Sequence, residues 1–347
     1  MIQRVLLLRR GPAATDASYV INPLRPLIAE GSVELDIVDT GHPLTPGPVP
    51  LPAAFEGRHV IVSRYCPSRV LRQLQAQRNS LAGLHYVVDD DIPAALDSQE
   101  LPRLYRSEQR WFVAPQFEAL MSAADTVTVT SDWLYERYQS SKTRLLHPTL
   151  LWRPGGLSHF DSSRCIVSFH ATVVHRPDLS AIIPALRKIH DRHPHVHIEV
   201  MTSGGMPRGL RGLPRCHLRG YMSWHRYSHF VEARRRHVMV VPLWDNPFNR
   251  GKSHIKVLDA AGLGAAGIYS ARAPYANIVE QGQSGLLAND TVDAWFAAID
   301  SLVSSPQLAR SVSEHGQRLG MAIGDREPAT AHWRGILGLE AHKSSSR

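Results

Sequence analysis

The sequence predicts an α/β protein built from two doubly wound, Rossmann-like domains. Three observations point there. Short apolar, β-branched runs alternate with helical stretches along the whole chain, the pattern of a mostly parallel sheet. The alternation pauses at HPTLLWRPGG (147–156), which reads as a linker, and then restarts. At 347 residues the chain has the length of two ordinary domains. The expected division is 1–150, 151–322 and a last segment, 323–347, that carries a helix around Trp333.

In the first half, strands are expected at 5–8, 33–38, 60–62, 86–88 and 127–130, each a short apolar run. Helices are expected at 18–30, 68–77, 107–123 and 132–139, the first of them interrupted by Pro23 and Pro26. The Pro-rich run HPLTPGPVPLP (42–52) cannot be a central strand or a helix, and is expected at the surface. In the second half, strands are expected at 165–169, 196–201, 215–218, 238–242 and 267–270. Helices are expected at 177–192, with a proline at its start, and at 223–236, 292–303, 307–319 and 329–339. The tail HKSSSR is expected to fray.

Composition narrows the function. The formal charge is +8, which favours anionic partners: nucleoside diphosphates, a lipid-linked phosphate or an anionic membrane face. Nucleic acid is not expected, because no helix-turn-helix, zinc-finger or RNP-like pattern occurs. The basic run at 234–237 (RRRH) reads as a solvated helix C-terminus or as a membrane or lipid-phosphate contact. No stretch is long and apolar enough to span a membrane, and the opening MIQRVLLLRRG is too short for a signal-peptide core. The three cysteines, Cys66, Cys165 and Cys216, lack metal or disulfide spacing. A reduced, cytoplasmic protein is expected, with peripheral contact at the inner membrane face.

The densest signal lies at 237–287. Lys252, Lys256 and Asp259 fall at i, i+4 and i+7, one stripe of a helix beginning near Gly251. Two ammonium groups suit a diphosphate, a carboxylate suits a ribose diol, and a helix N-terminus adds N–H donors. The alternative is an ordinary amphipathic helix with a solvated face.

This stretch resembles the donor-nucleotide half of a GT-B glycosyltransferase of the group 1, or family 4, type. The nearest branch carries a KSxxKxxE helix and is found among bacterial rhamnan and polysaccharide transferases. The matching pieces are KSHIKVLD (252–259), GIYS (267–270) and NIVEQGQSGLL (277–287). The family's two glutamates, eight positions apart, fall on Gly251 and Asp259: the first acid is absent and the second is shortened. The loop HATVVHRPDL resembles the family's GSxxHxxDL, with His175 and Asp178 at its His and Asp. The loop LWDNPFNRGK resembles the family's approach to the donor helix, which implies Arg250 and Lys252 on the diphosphate. Ser270 and Tyr275 are further donor-contact candidates, and Asp178 also reads as an N-terminal helix residue.

In the first domain, Asp89, Asp90 and Asp91 end a strand that faces the cleft. Adjacent carboxylates repel, so at least one pKa should rise, as suits a general base. A capping turn is the competing reading. Tyr86, Asp89 and Asp90 match the branch's YDxDD, and Arg64 matches the arginine of its xxQR position. Ser18 belongs to a loose match with the branch's opening loop, in which the usual arginine is Val20.

The resemblance implies a metal-independent transfer of a sugar from a nucleoside-diphosphate donor to a hydroxyl of a glycan or lipid-linked acceptor. It implies no cofactor beyond the donor substrate, two domains that face each other across a cleft, and a last helix, around Trp333, that returns to the first domain. Asp89, Asp90, Asp91 and His175 are then the catalytic candidates, with Arg64 and Ser18 toward the acceptor. The alternative is a non-catalytic GT-B-like protein that binds a nucleotide sugar or a partner, motivated by Gly251 and Val20.

Overall fold

A computed structural model describes residues 2–41 and 55–339. The Pro-rich run and the tail lie outside these residues. Two six-stranded sheets, all parallel, form the frame. The first contains β1 (Gln3–Arg9), β2 (Val33–Asp39), β3 (Arg58–Ser63), β4 (Gly83–Val88), β5 (Thr126–Val129) and β6 (Thr143–Leu145), in the order β2-β1-β3-β4-β5-β6. The second contains β7 (Cys165–His170), β8 (Val196–Met201), β9 (Cys216–Leu218), β10 (Val238–Val241), β11 (Ala266–Ser270) and β12 (Leu286–Ala288), in the order β12-β11-β10-β7-β8-β9.

The central strands are continuous apolar runs because helices cover both faces of each sheet. Val5 to Leu8 are fully buried: Leu6 and Leu8 belong to the cluster on one face, Val5 and Leu7 to that on the other. In the second sheet Val167, Ile198 and Val240 pack under the helix Arg176–Arg192. On the opposite face Met239, Val241 and Tyr269 pack with the helix Ile255–Leu263.

Two edge strands, β6 and β12, escape the sequence reading; each has three residues, too short for periodicity to show. The helix Ile92–Asp97 is also additional, and its start is set by Asp91. The first helical stretch begins at Ala14, four residues before the expected start, and passes through a π-turn at Ala17–Ile21 before continuing to Ala29. Pro23 has no N–H to give to the Tyr19 carbonyl. That carbonyl instead accepts the indole N–H of Trp333 at 2.7 Å. The helix Glu327–Ile336 thereby packs on the first domain, with Trp333 fully buried beside Val5, Leu7 and Leu24. Ser18 joins the two halves of the chain, exchanging 2.8 Å hydrogen bonds with the backbone of Thr149.

Candidate functional site

The carboxyl ends of β3 and β4 present the acidic group of the first domain. Arg64 follows β3 with φ +68°, a left-handed conformation that non-glycine residues seldom adopt. Its amide donates to Val87 O at 2.9 Å, and its carbonyl accepts the Tyr86 hydroxyl at 2.6 Å. Held this way, the guanidinium faces two carboxylates, Asp89 at 2.9 Å and Asp90 at 2.8 Å. Thr15 donates its hydroxyl to Asp89.

The loops after β7 and β10 face these residues from the second domain. Asn246 caps the short helix Pro247–Arg250 by accepting the Asn249 N–H at 2.8 Å. The chain then turns, and the next helix starts only at Ile255. Lys252 therefore lies in the turn, not on a helical stripe with Lys256 and Asp259. Its ammonium rests 4.0 Å above the Phe248 ring and pairs with Asp90 across the cleft. Phe248, fully buried, packs against Ala95, Leu101 and Tyr105 of the first domain. Two further bonds close the same seam: Ser131 Oγ to Gly251 O at 2.8 Å, and Tyr19 to Ser253 at 2.7 Å.

Gly251 has a physical reason to lack a side chain. A Cβ there would sit 3.1 Å from Asp91 Cβ and 3.3 Å from Leu134 Cδ2, both in the first domain. Its φ of −74° suits any residue, so the case for glycine here rests on this tight approach and not on backbone conformation. The acid of the family pattern is absent where the two domains touch.

Asp178, 2 % exposed, ties the second-domain loops together. It accepts the Trp244 amide at 3.0 Å, the Asn249 side chain at 2.9 Å and His175 Nδ1 at 2.9 Å. The last bond places the His175 proton on Nδ1 and leaves Nε2 as an acceptor. Burial pushes the pKa of His175 down, so it is neutral at pH 7. On the helix Ile255–Leu263, Lys256 and Asp259 pair at 2.7 Å, and the Tyr227 hydroxyl approaches Asp259 at 3.4 Å.

The neighbouring carboxylates are driven apart in acidity. For Asp90 burial would raise the pKa, but Lys252 and Arg64 outweigh it and hold the carboxyl down at about 2. For Asp89 burial dominates and raises the pKa despite Arg64. The two adjacent acids thus differ in their readiness to take up a proton.

Of the residues expected at the site, Arg64, Asp89, Asp90 and Lys252 form one ion-pair cluster. His175 lies on the same side of the cleft as Lys252, held by Asp178. Others are occupied elsewhere. Asp91 caps the helix Ile92–Asp97 through the Ala94 N–H and binds Tyr138 and Arg137. Ser270 accepts the Leu243 N–H at 2.8 Å, and its side chain is fully buried. Tyr275 stacks beside Tyr269 in the core. Ser18 is spent on Thr149. Arg250 turns outward into a bidentate pair with Asp245 at 2.8 and 3.1 Å. Thr15, Asn249 and Tyr227 were not anticipated, since their partners lie 74, 71 and 32 positions away.

No family model matches the chain, and no curated protein matches its sequence. Solved structures do match. A sucrose-phosphate synthase from Thermosynechococcus elongatus superposes with a TM-score of 0.64 at 18% identity, over 97% of this chain and 100% of that one. HepE of Anabaena, solved with UDP and glucose, gives 0.66 at 11% identity, over 98% and 100%. A glycosyltransferase from Rickettsia africae gives 0.61 at 10% identity, over 97% and 98%. With two parallel six-stranded sheets meeting at a cleft, the chain has the GT-B fold of these glycosyltransferases.

Proposed function

We propose that the protein is a glycosyltransferase that moves a sugar from a nucleoside-diphosphate donor to a hydroxyl of a glycan or lipid-linked acceptor, in bacterial surface polysaccharide synthesis. One observation carries the reading. The lysine that begins the donor-like KSxxK segment meets the Arg64–Asp89–Asp90 cluster across the cleft. Asp90 occupies Lys252 as an anionic stand-in for the donor's diphosphate. Donor binding transfers Lys252 from the carboxylate to the phosphates. In the transfer the bond from the sugar's anomeric carbon to the phosphate oxygen breaks, and the nucleoside diphosphate leaves with the electron pair. Lys252 stabilises the charge that builds there. The acceptor oxygen bonds the anomeric carbon, and its proton passes to the Asp89–Asp90 pair. Asp259, with Lys256, is the candidate for the ribose. His175, neutral and held by Asp178, presents Nε2 to the same cleft. Residues 1–150 hold the acceptor and the second domain holds the donor, so closure assembles the site. A charge of +8 supports an acceptor that is anionic or lies at an anionic inner-membrane surface.

UDP is the first nucleotide to try, since HepE was solved with it. Thermal shift and calorimetry with UDP, GDP, dTDP and ADP on wild type, Lys252→Ala and Asp259→Ala should give one nucleotide a clear signal that both variants weaken. Silence across the panel would remove the donor reading. The second reading, a non-catalytic binding protein, draws on the closed seam at Gly251. It predicts nucleotide-sugar binding without release of nucleoside diphosphate in any acceptor mixture.

A further inference from the structure

A second basic site lies in the second domain, away from the cleft. A pocket of about 280 Å³ is lined by Arg164, Arg219, Arg234 and Arg236, with Phe230 among its walls. Arg164 and Arg236 precede β7 and β10, at the amino ends of the strands, whereas the interdomain site is built after their carboxyl ends. Part of the basic run at 234–237 thus has a destination: Arg234 and Arg236 line the pocket, while Arg235 turns to the Gly262 carbonyl at 2.9 Å.

The pocket is partly built and partly unsatisfied. Two of its arginines share a buried carboxylate, Glu199, 2 % exposed, which Arg236 grips at 2.6 and 3.0 Å and Arg219 meets at 2.6 Å. Arg236 is itself buried, with its guanidinium 4.6 Å above the Phe230 ring. Arg164 and Arg234 are exposed at the mouth, and neither pairs with an acidic side chain among the described residues. Four arginines thus line one pocket, and Glu199 pairs with two of them, Arg219 and Arg236. Like charges this close repel unless an anion joins them, and guanidinium forks match phosphate oxygens bidentately. The volume suits a small anionic group. Tyr221, 72 % exposed, and Leu218 flank Arg219 on the same segment.

We propose that this pocket binds a phosphate-bearing anion, either on a soluble molecule or on a lipid headgroup, independently of the donor site. Calorimetry would titrate inorganic pyrophosphate into protein saturated with UDP, for wild type, Lys252→Ala and the double variant Arg164→Ala/Arg234→Ala. Sedimentation with phosphatidylglycerol vesicles would be run in parallel. Pyrophosphate binding that survives Lys252→Ala but weakens at least tenfold in the double variant supports the site and a soluble source. Vesicle binding that is lost in the double variant, without pyrophosphate binding, supports a headgroup source. Wild type and double variant behaving alike in both assays overturns the proposal. Both arginines are exposed, so the double variant should melt with wild type; should it not, Arg164→Gln and Arg234→Gln singly replace it. UDP binding is read separately, so failure of the donor site leaves this result intact.

Discussion

Asp90 holds Lys252 in the cleft, and a diphosphate would have to take its place. That competition yields a prediction that runs against simple loss of function. Asp90→Asn should tighten UDP binding several-fold, because Lys252 is released, while transfer falls steeply; Lys252→Ala should weaken UDP about tenfold. Calorimetry on the two variants checks it, and equal weakening in both would mean that Asp90 does not compete. Gly251 provides a second test at this scale. Restoring the acid of the family pattern, Gly251→Glu, drives a side chain into Asp91 and Leu134. Either the domains part or stability falls by about 1–3 kcal/mol, as for overpacking generally. Small-angle scattering and a melting curve together would detect one or the other. The sequence displays Gly251 as a departure from a pattern; the reason for the departure comes from residues 91 and 134, distant in the chain.

At the scale of elements, the site depends on two loops that Asp178 binds into one unit. Asp178→Ala would strand the Trp244 amide, the Asn249 side chain and His175 together. Each unsatisfied buried group costs about 1–3 kcal/mol. The expected result is a lower melting temperature with UDP affinity reduced as well, since Lys252 hangs from the same loop. A variant that melts early but binds UDP normally would show that the loop is not what orders Lys252. Sequence reading placed the central strands well because their apolar runs are continuous, as at Val5 to Leu8. It misjudged the donor helix. The i, i+4, i+7 spacing of Lys252, Lys256 and Asp259 is genuine, yet the helix begins at Ile255 after a turn closed by Asn249. Periodicity reports which residues would align if a helix formed, and is weakest at helix ends.

For the whole molecule, buried histidines set the acid limit. Burial, reinforced by a neighbouring histidine's charge, pushes His85, His237 and His254 down to about 4 from 6.5. Their neutral forms favour the fold, so this stability is complete above pH 6.5 and is lost as pH falls toward 4. Each is worth at most about 3 kcal/mol, against a total of about 5–15 kcal/mol. Asp16 acts in the opposite sense. Burial raises it to about 6, so the fold gains as pH falls through 6 to 3.8. His332 is pushed to about 4 as well, so four histidines outweigh one carboxyl, and the melting temperature should drop by roughly 10 °C between pH 7 and pH 4.5. A flat profile over that range would contradict the burial of these rings.

The sequence by itself determined the alternation of strands and helices, the pause near residue 150, the GT-B-like order of motifs and the candidate donor segment. These are local properties: side-chain period, turn chemistry and short spacings. Only the tertiary structure decided which candidates act together. It joined Lys252 to Asp90 across 162 positions, took Asp91, Ser18, Ser270, Tyr275 and Arg250 into caps, packing and surface pairs, and brought four arginines to the lining of one pocket. The physical reason is common to all of them. A polar side chain's role is set by the nearest group of opposite charge or hydrogen-bonding sense, and in a folded chain that group is seldom near in sequence.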